Sequence, residues 1–189
     1  MEPFTLHLLR HGEPESPGRL MGRTDCPSTA AGIQACIDRA EPLGLEAIVS
    51  SNLCRARAAA EAIGQGKGLA VTIDPLWREL DFGDWDGLAP AEIDPAALIR
   101  FQVDPDAYPP PRGEPWSQLV ARVGRALDRL PPRDTLIVTH GGAVRAALAH
   151  LCDLRERNTW AIALPYAALL TLQVWPGDPR TAQITGLWT

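Results

Sequence analysis

The sequence predicts an α/β chain built on an open sheet, with its ligand site at the carboxyl edge of the strands. Three observations carry this reading. Short apolar runs rich in β-branched residues alternate with segments of helical periodicity along all 189 residues. Two of those runs, residues 4–9 and 135–139, lead into a histidine followed directly by glycine. Open α/β sheets bind their ligands at such strand ends.

The length suits one domain over residues 1–189, and no linker composition divides it. With 46% hydrophobic and 22% charged residues the chain can bury a core. A net charge of -5 excludes a general nucleic-acid binder, which needs a basic face for phosphates. Lys67 is the single lysine, so 17 of the 18 basic residues are arginines, which composition bias explains most simply. Cys26, Cys36, Cys54 and Cys152 form no CxxC pair, so reduced, structural thiols are expected. No basic leader and no apolar run of about 20 residues is present, so the expectation is no membrane partner and a cytoplasmic protein.

Taken in order, residues 4–9 read as a buried strand that delivers Arg10, His11 and Gly12. A cation, a histidine and a backbone-exposing glycine in succession suit holding an anion, read as phosphate, and attacking it. Residues 13–28 are rich in Pro, Gly and Ser and form a loop. Because the loop follows His11 directly, Arg19, Arg23 and Thr24 are candidate substrate contacts. Ser28 or Thr29 caps a helix running to about Ala40.

Residues 47–51 give a second strand, and the helix after it carries Leu53, Ala56, Ala60 and Ile63 on one face, with Gly64 as its stop. Arg55 falls in the first turn, where the helix dipole disfavours a cation unless an anion is bound there too. Arg57 faces elsewhere and reads as solvated. After a short strand at 71–73, the segment PLWRELDFGDWDG interleaves Glu79, Asp81, Asp84 and Asp86 with Leu80, Phe82 and Trp85. Acids on one side and aromatics on the other are expected, with Glu79 placed to deliver a proton.

Residues 90–115 are proline-laden and cannot carry one continuous helix. They read as an excursion with a short helix near 91–101, forming one wall of the cleft. The clearest helix follows, with Trp116, Leu119, Val120, Val123, Leu127 and Leu130 on one face and Arg122, Arg125, Asp128 and Arg129 on others; Pro131 and Pro132 end it. Residues 135–142, TLIVTHGG, repeat the opening pattern, bringing His140 and Gly141 to a strand end before a helix. Strands at 167–175 and 181–188 close the chain, and His7 and His150 are left structural.

The RHG at the first strand's end, SSNLCRA on the second, the acidic segment and the late THGG occur in order over residues 4–145. Together they resemble the histidine phosphatase superfamily, the phosphoglycerate mutase-like branch 1. That resemblance implies a doubly wound, mostly parallel central sheet with helices on both faces. It also implies His11 as nucleophile, Arg10 and Arg55 as phosphate-clamping arginines, His140 as a second phosphate-contacting histidine and Glu79 as general acid. The substrate would be a small-molecule phosphomonoester hydrolysed through a phosphohistidine, with no metal and no cofactor. Within the family, GRLMGRTD, LDFGDWDG and the approach to RGEP look most like the α-ribazole-5′-phosphate phosphatases of cobalamin nucleotide-loop assembly. Ala59 stands where many relatives carry Thr, and Pro115 where Ser is common. A broad-specificity sugar or nucleotide phosphatase and a phosphoglycerate mutase-like enzyme are the alternatives, the short chain favouring hydrolysis. A non-catalytic binder would be expected to lack His11 or Glu79. Six tryptophans can serve core or interface alike, which leaves a homodimer open.

Overall fold

The computed structural model describes residues 2–189. Its strands are β1 (Phe4–Arg10), β2 (Ala47–Ser50), β3 (Val71–Ile73), β4 (Thr135–Thr139), β5 (Leu169–Trp175) and β6 (Thr181–Trp188). They form one sheet in the order β3-β2-β4-β1-β5-β6. The first four run parallel, while β5 is antiparallel to β1 and β6 to β5. The sheet is therefore mostly parallel, as the family resemblance implies, with an antiparallel pair at one edge.

The helices are α1 (Ala30–Ala40), α2 (Cys54–Lys67), α3 (Pro95–Val103), α4 (Trp116–Asp128), α5 (Gly141–Cys152) and α6 (Glu156–Thr159). The strand period of two sends alternate side chains to opposite faces. Leu6, Leu8 and Ile137 pack with Leu119, Val123 and Leu127 of α4 and Val144, Leu148 and Leu151 of α5. Leu9, Ile48, Leu136 and Val138 pack instead with Cys36 and Ala40 of α1 and the Ala56, Ala59, Ala60 and Ile63 stripe of α2. Two buried faces explain why the parallel strands read as continuous apolar runs.

Three expectations need correction. Gly64 does not stop α2, which runs another turn to Lys67 and ends on Gly68 at φ 68° in the left-handed region. Gly64 is needed for contact: a Cβ there would lie 2.7 Å from the Leu69 carbonyl oxygen. The helix expected near 91–101 is a 3-10 turn at Pro90–Glu92 followed by α3, whose cap is Asp94. The acidic segment is two 3-10 turns, Pro75–Trp77 and Gly83–Trp85, so its acids and aromatics do not separate cleanly by alternation. Arg122, on a face of α4 other than the apolar one, is buried as well.

Thr29 caps α1 by accepting from the Gly32 N–H at 3.0 Å. Arg57 lies exposed and pairs with Glu61. The four cysteines are free, and burial pushes the Cys36 thiol up to about 12, which keeps it unreactive. Among the described residues no helix is long and apolar enough to cross a membrane.

Candidate active site

Parallel strands end on the same edge, so β1 and β4 bring His11 and His140 together there. Their ring centroids lie 5.1 Å apart in an edge-to-face arrangement. Both rings are buried, His140 completely. The Nδ1 of His11 donates to the Gly12 carbonyl at 2.7 Å, so its proton sits on Nδ1 and Nε2 carries a free lone pair. The same carbonyl accepts from the Ser28 hydroxyl at 3.1 Å. Burial, then the charge of Arg55, pushes His11 down to about 3, which keeps the imidazole neutral.

His140 Nε2 lies 2.9 Å from the Ser51 hydroxyl. Ser51 Oγ also accepts from the Leu53 N–H at 3.3 Å, and its own proton can be donated to the ring. In that arrangement the ring proton of His140 sits on Nδ1, which is buried without a protein partner. Burial also pushes its basicity well below the ordinary histidine value.

Arg55 is 1% exposed and enters from the first turn of α2. Its two terminal nitrogens donate to the carbonyls of Thr24 at 2.9 Å and Met21 at 2.7 Å, which ties the 13–28 loop beneath it. Arg10 donates to the Leu164 carbonyl at 2.5 Å and lies 4.2 Å over the ring of Tyr166. The Nε atoms of Arg10 and Arg55 are buried without protein partners. Three donors, on Arg10, Arg55 and His140, are thus unspent around His11. Such groups are costly to bury unless an anion meets them.

Glu79 reaches across to the start of α5. Its Oε1 accepts from the Leu80 N–H at 2.8 Å and its Oε2 from the Gly142 N–H at 3.0 Å. Gly141 and Gly142 belong to the first turn of α5, so the helix begins at once after His140. A Cβ on Gly142 would fall 2.1 Å from Glu79 Oε1, hence the glycine there. Gly12 is constrained in the same way, since a Cβ would lie 2.0 Å from the Gly32 carbonyl oxygen of α1.

Beside this cluster opens a chamber of about 600 Å³, with Arg10, Glu79, Gly141 and Gly142 at one end. Its walls are largely apolar: Leu20, Phe82, Leu98, Phe101, Trp116 and Leu164 line it. The proline-laden stretch contributes Pro90, Leu98, Phe101, Gln102 and Pro105. Arg145 and Trp160 also line it, the guanidinium 4.1 Å over the indole.

The structure does not bring Arg19, Arg23 and Thr24 to the chamber. Arg19 donates to Glu92 at 3.1 Å and to the Gly87 carbonyl. Arg23 pairs with Asp81 at 3.0 Å, while the amides of Arg23 and Thr24 donate to the Asp86 carboxylate. Ala59 is fully buried in the α1–α2 core, and Pro115 precedes α4 as its cap. Sequence reasoning missed Ser51, Tyr166, Trp160 and Arg145. For Arg145 a signal existed: it is four residues beyond Gly141 on one helix and shares its face. Tyr166 and Trp160 lie in a stretch without periodicity and gave none.

The sequence profile of the histidine phosphatase superfamily (branch 1) matches residues 6–185. A glucosyl-3-phosphoglycerate phosphatase of Mycobacterium tuberculosis is 32% identical, over 100% of this chain and 88% of its own. A probable phosphoglycerate mutase GpmB of Citrobacter koseri is 35% identical over 79% of this chain and 75% of its own. The native structure of a mycobacterial glucosyl-3-phosphoglycerate phosphatase superposes with a TM-score of 0.87 at 28% identity, covering 97% of each chain. A structure from Escherichia coli provisionally named an α-ribazole-5′-P phosphatase gives 0.84, covering 98% of this chain and 96% of its own; at 23% identity it shows the fold alone. The chain belongs to the histidine phosphatase superfamily, branch 1.

Proposed function

We propose that this phosphatase cleaves phosphomonoesters in two steps through a phosphohistidine on His11. The observation that carries the reading is the Nδ1–Gly12 hydrogen bond, which fixes the tautomer and leaves Nε2 unprotonated beside the guanidiniums of Arg10 and Arg55. Nε2 forms a bond to phosphorus as the ester P–O bond breaks, and protonated Glu79 gives its proton to the leaving oxygen. Water then attacks the phosphohistidine, Glu79 takes back a proton, and His11 departs as neutral imidazole. The guanidiniums of Arg10 and Arg55 neutralise the equatorial oxygens in both transition states, and the neutral His140 ring donates a hydrogen bond to them. Gly12 and Gly141 serve by letting backbone approach the phosphate. Rapid quench into alkali should trap an acid-labile phosphoryl group on His11 in EDTA, absent from His11→Ala. A full burst in that variant would reject the reading.

For the leaving group, the apolar, aromatic-walled chamber favours a bulky alcohol carrying an aromatic ring, which supports α-ribazole 5′-phosphate. A second reading, glucosyl-3-phosphoglycerate, is favoured by the M. tuberculosis relative and by Arg145, a cation on the chamber wall suited to a carboxylate. Relative kcat/KM for α-ribazole 5′-phosphate, glucosyl-3-phosphoglycerate and 3-phosphoglycerate decides between them. A preference of several orders of magnitude for the first supports a place in cobalamin assembly. The reverse order would assign the chamber to acidic sugars, and comparable low rates to a broad-specificity enzyme.

A further inference from the structure

Arg122 does not line the chamber, yet its whole hydrogen-bonding capacity is turned on the segment that carries Glu79. Nε and Nη2 form a fork on Glu114, at 2.7 Å to Oε1 and 2.8 Å to Oε2. Nη1 donates to the carbonyls of Leu76 at 2.7 Å and Arg78 at 2.8 Å, and Nη2 to the carbonyl of Glu79 itself at 2.8 Å. These contacts use every N–H that a guanidinium has. Glu114 grips the same segment, donating its amide to the Asp81 carbonyl at 2.9 Å and accepting the Asp81 N–H at 3.3 Å. Both charged groups are buried, 7% and 9% exposed.

The need for such a clamp follows from the backbone. Residues 78–82 lie between two 3-10 turns and belong to no helix or strand, so no hydrogen-bond ladder fixes them. Glu79 projects from that segment, and a proton donor must sit within hydrogen-bond reach of the leaving oxygen. A planar fork can bind a carboxylate along one edge and carbonyls along another, which a lysine cannot reproduce.

We infer that Arg122, held by Glu114, is a positioning residue that fixes the backbone from which Glu79 delivers its proton. This rests on Glu79 being the general acid, and the test separates the two ideas. Protonation of the leaving group matters for a poor leaving group and little for an activated one. The measurement is therefore kcat/KM, which reports the phosphorylation step, for benzyl phosphate and for 4-nitrophenyl phosphate. The variants are Arg122→Lys, Arg122→Met and Glu114→Gln, each checked for folding by circular dichroism and thermal melting.

Because general acid catalysis contributes roughly 10²–10⁴-fold, a misplaced donor should cost roughly 10- to 100-fold on benzyl phosphate and under about 3-fold on 4-nitrophenyl phosphate. Arg122→Lys, which keeps charge without the fork, should fall between wild type and Arg122→Met. Should Arg122→Met fail to fold, Glu114→Gln and Arg122→Lys carry the same comparison. Equal losses on both esters, or none, in folded variants would overturn the inference. Glu79→Gln is the reference: if it shows no leaving-group selectivity, the assignment of Glu79 as acid has failed instead.

Discussion

The Nδ1 of His11 and the carbonyl oxygen of Gly12 are 2.7 Å apart, and this contact sets the tautomer of the imidazole. It joins neighbours in sequence, so the turn after β1 must fold back on itself. That turn is tight because Gly12 lies against Gly32 at the start of α1. A methyl group on Gly12 would meet three backbone atoms of Gly32 between 2.0 and 2.6 Å. Gly12→Ala must therefore shift the turn, the carbonyl and the ring together. A misplacement of about 1 Å costs on the order of 10²-fold, so kcat should fall at least that far. The clash should also cost about 1–3 kcal/mol of stability, read from a urea midpoint.

His11 makes the fold acid-sensitive. Its ordinary value of 6.5 is pushed down to about 3, chiefly by burial, so between those values the unfolded chain binds a proton that the native one refuses. Stability then rises with pH across that window and is lost as pH falls through it, by up to about 1.4 kcal/mol per pH unit for this residue. His7 and His140, both lowered by burial, act in the same direction. Denaturant midpoints from pH 7 to 4 should fall more steeply for wild type than for His11→Gln. Inorganic phosphate should flatten the wild-type curve, since an anion at the ring favours the imidazolium. Parallel curves would show that His11 is not neutral in the native state.

Ser51 should act through His140. Removing its hydroxyl leaves Nε2 of a fully buried ring without a donor, and the proton is free to move to that nitrogen. Nδ1 then ceases to donate toward the phosphate. Complete loss of such a donor costs on the order of 10²–10³-fold; a redistributed tautomer forfeits part of that, and kcat of Ser51→Ala should fall about tenfold. Nitrogen chemical shifts of His140 should report the tautomer change directly. An unchanged tautomer would assign Ser51 to packing alone.

The sequence exposed the parts of this molecule in which local pattern and tertiary role coincide. Residues 4–9 and 135–139 read as buried strands because both sheet faces are covered, and each strand's end necessarily reaches the same edge. The α1 cap at Thr29 and the end of α4 before Pro131 were legible for equally local reasons. Gly64 was misread because glycine permits two things, a helix end and a close approach, and only packing against Leu69 selects the second. The burial of Arg122 was not legible, because helical periodicity ranks charged residues outward and only Glu114, from the preceding loop, neutralises the buried guanidinium. Arg23 carried a plausible charge in a plausible loop, but Asp81 lies close enough to engage it. In each case the deciding partner is distant in sequence or lies in irregular structure.

The chamber gives the last test, through Phe101. This ring belongs to α3 and lies edge-on to Trp85 at 5.6 Å and to Phe82 at 6.5 Å, so it is part of a preformed aromatic wall. If the wall receives the leaving group, truncating it forfeits apolar contact with a bulky aromatic ester and almost none with a small polar one. At roughly 25 cal/mol per Å², losing about 60 Å² of shared contact is worth about 1.5 kcal/mol, or some tenfold. Phe101→Ala should thus lower kcat/KM for α-ribazole 5′-phosphate about tenfold and for glycerol phosphate by less than about twofold. The effect should fall on KM, because contact remote from phosphorus is made equally in ground and transition states. A uniform loss would mean that Phe101 only supports Trp85. A selective loss on glucosyl-3-phosphoglycerate would show that the same wall holds a sugar ring, and attention would move to Arg145 beside it.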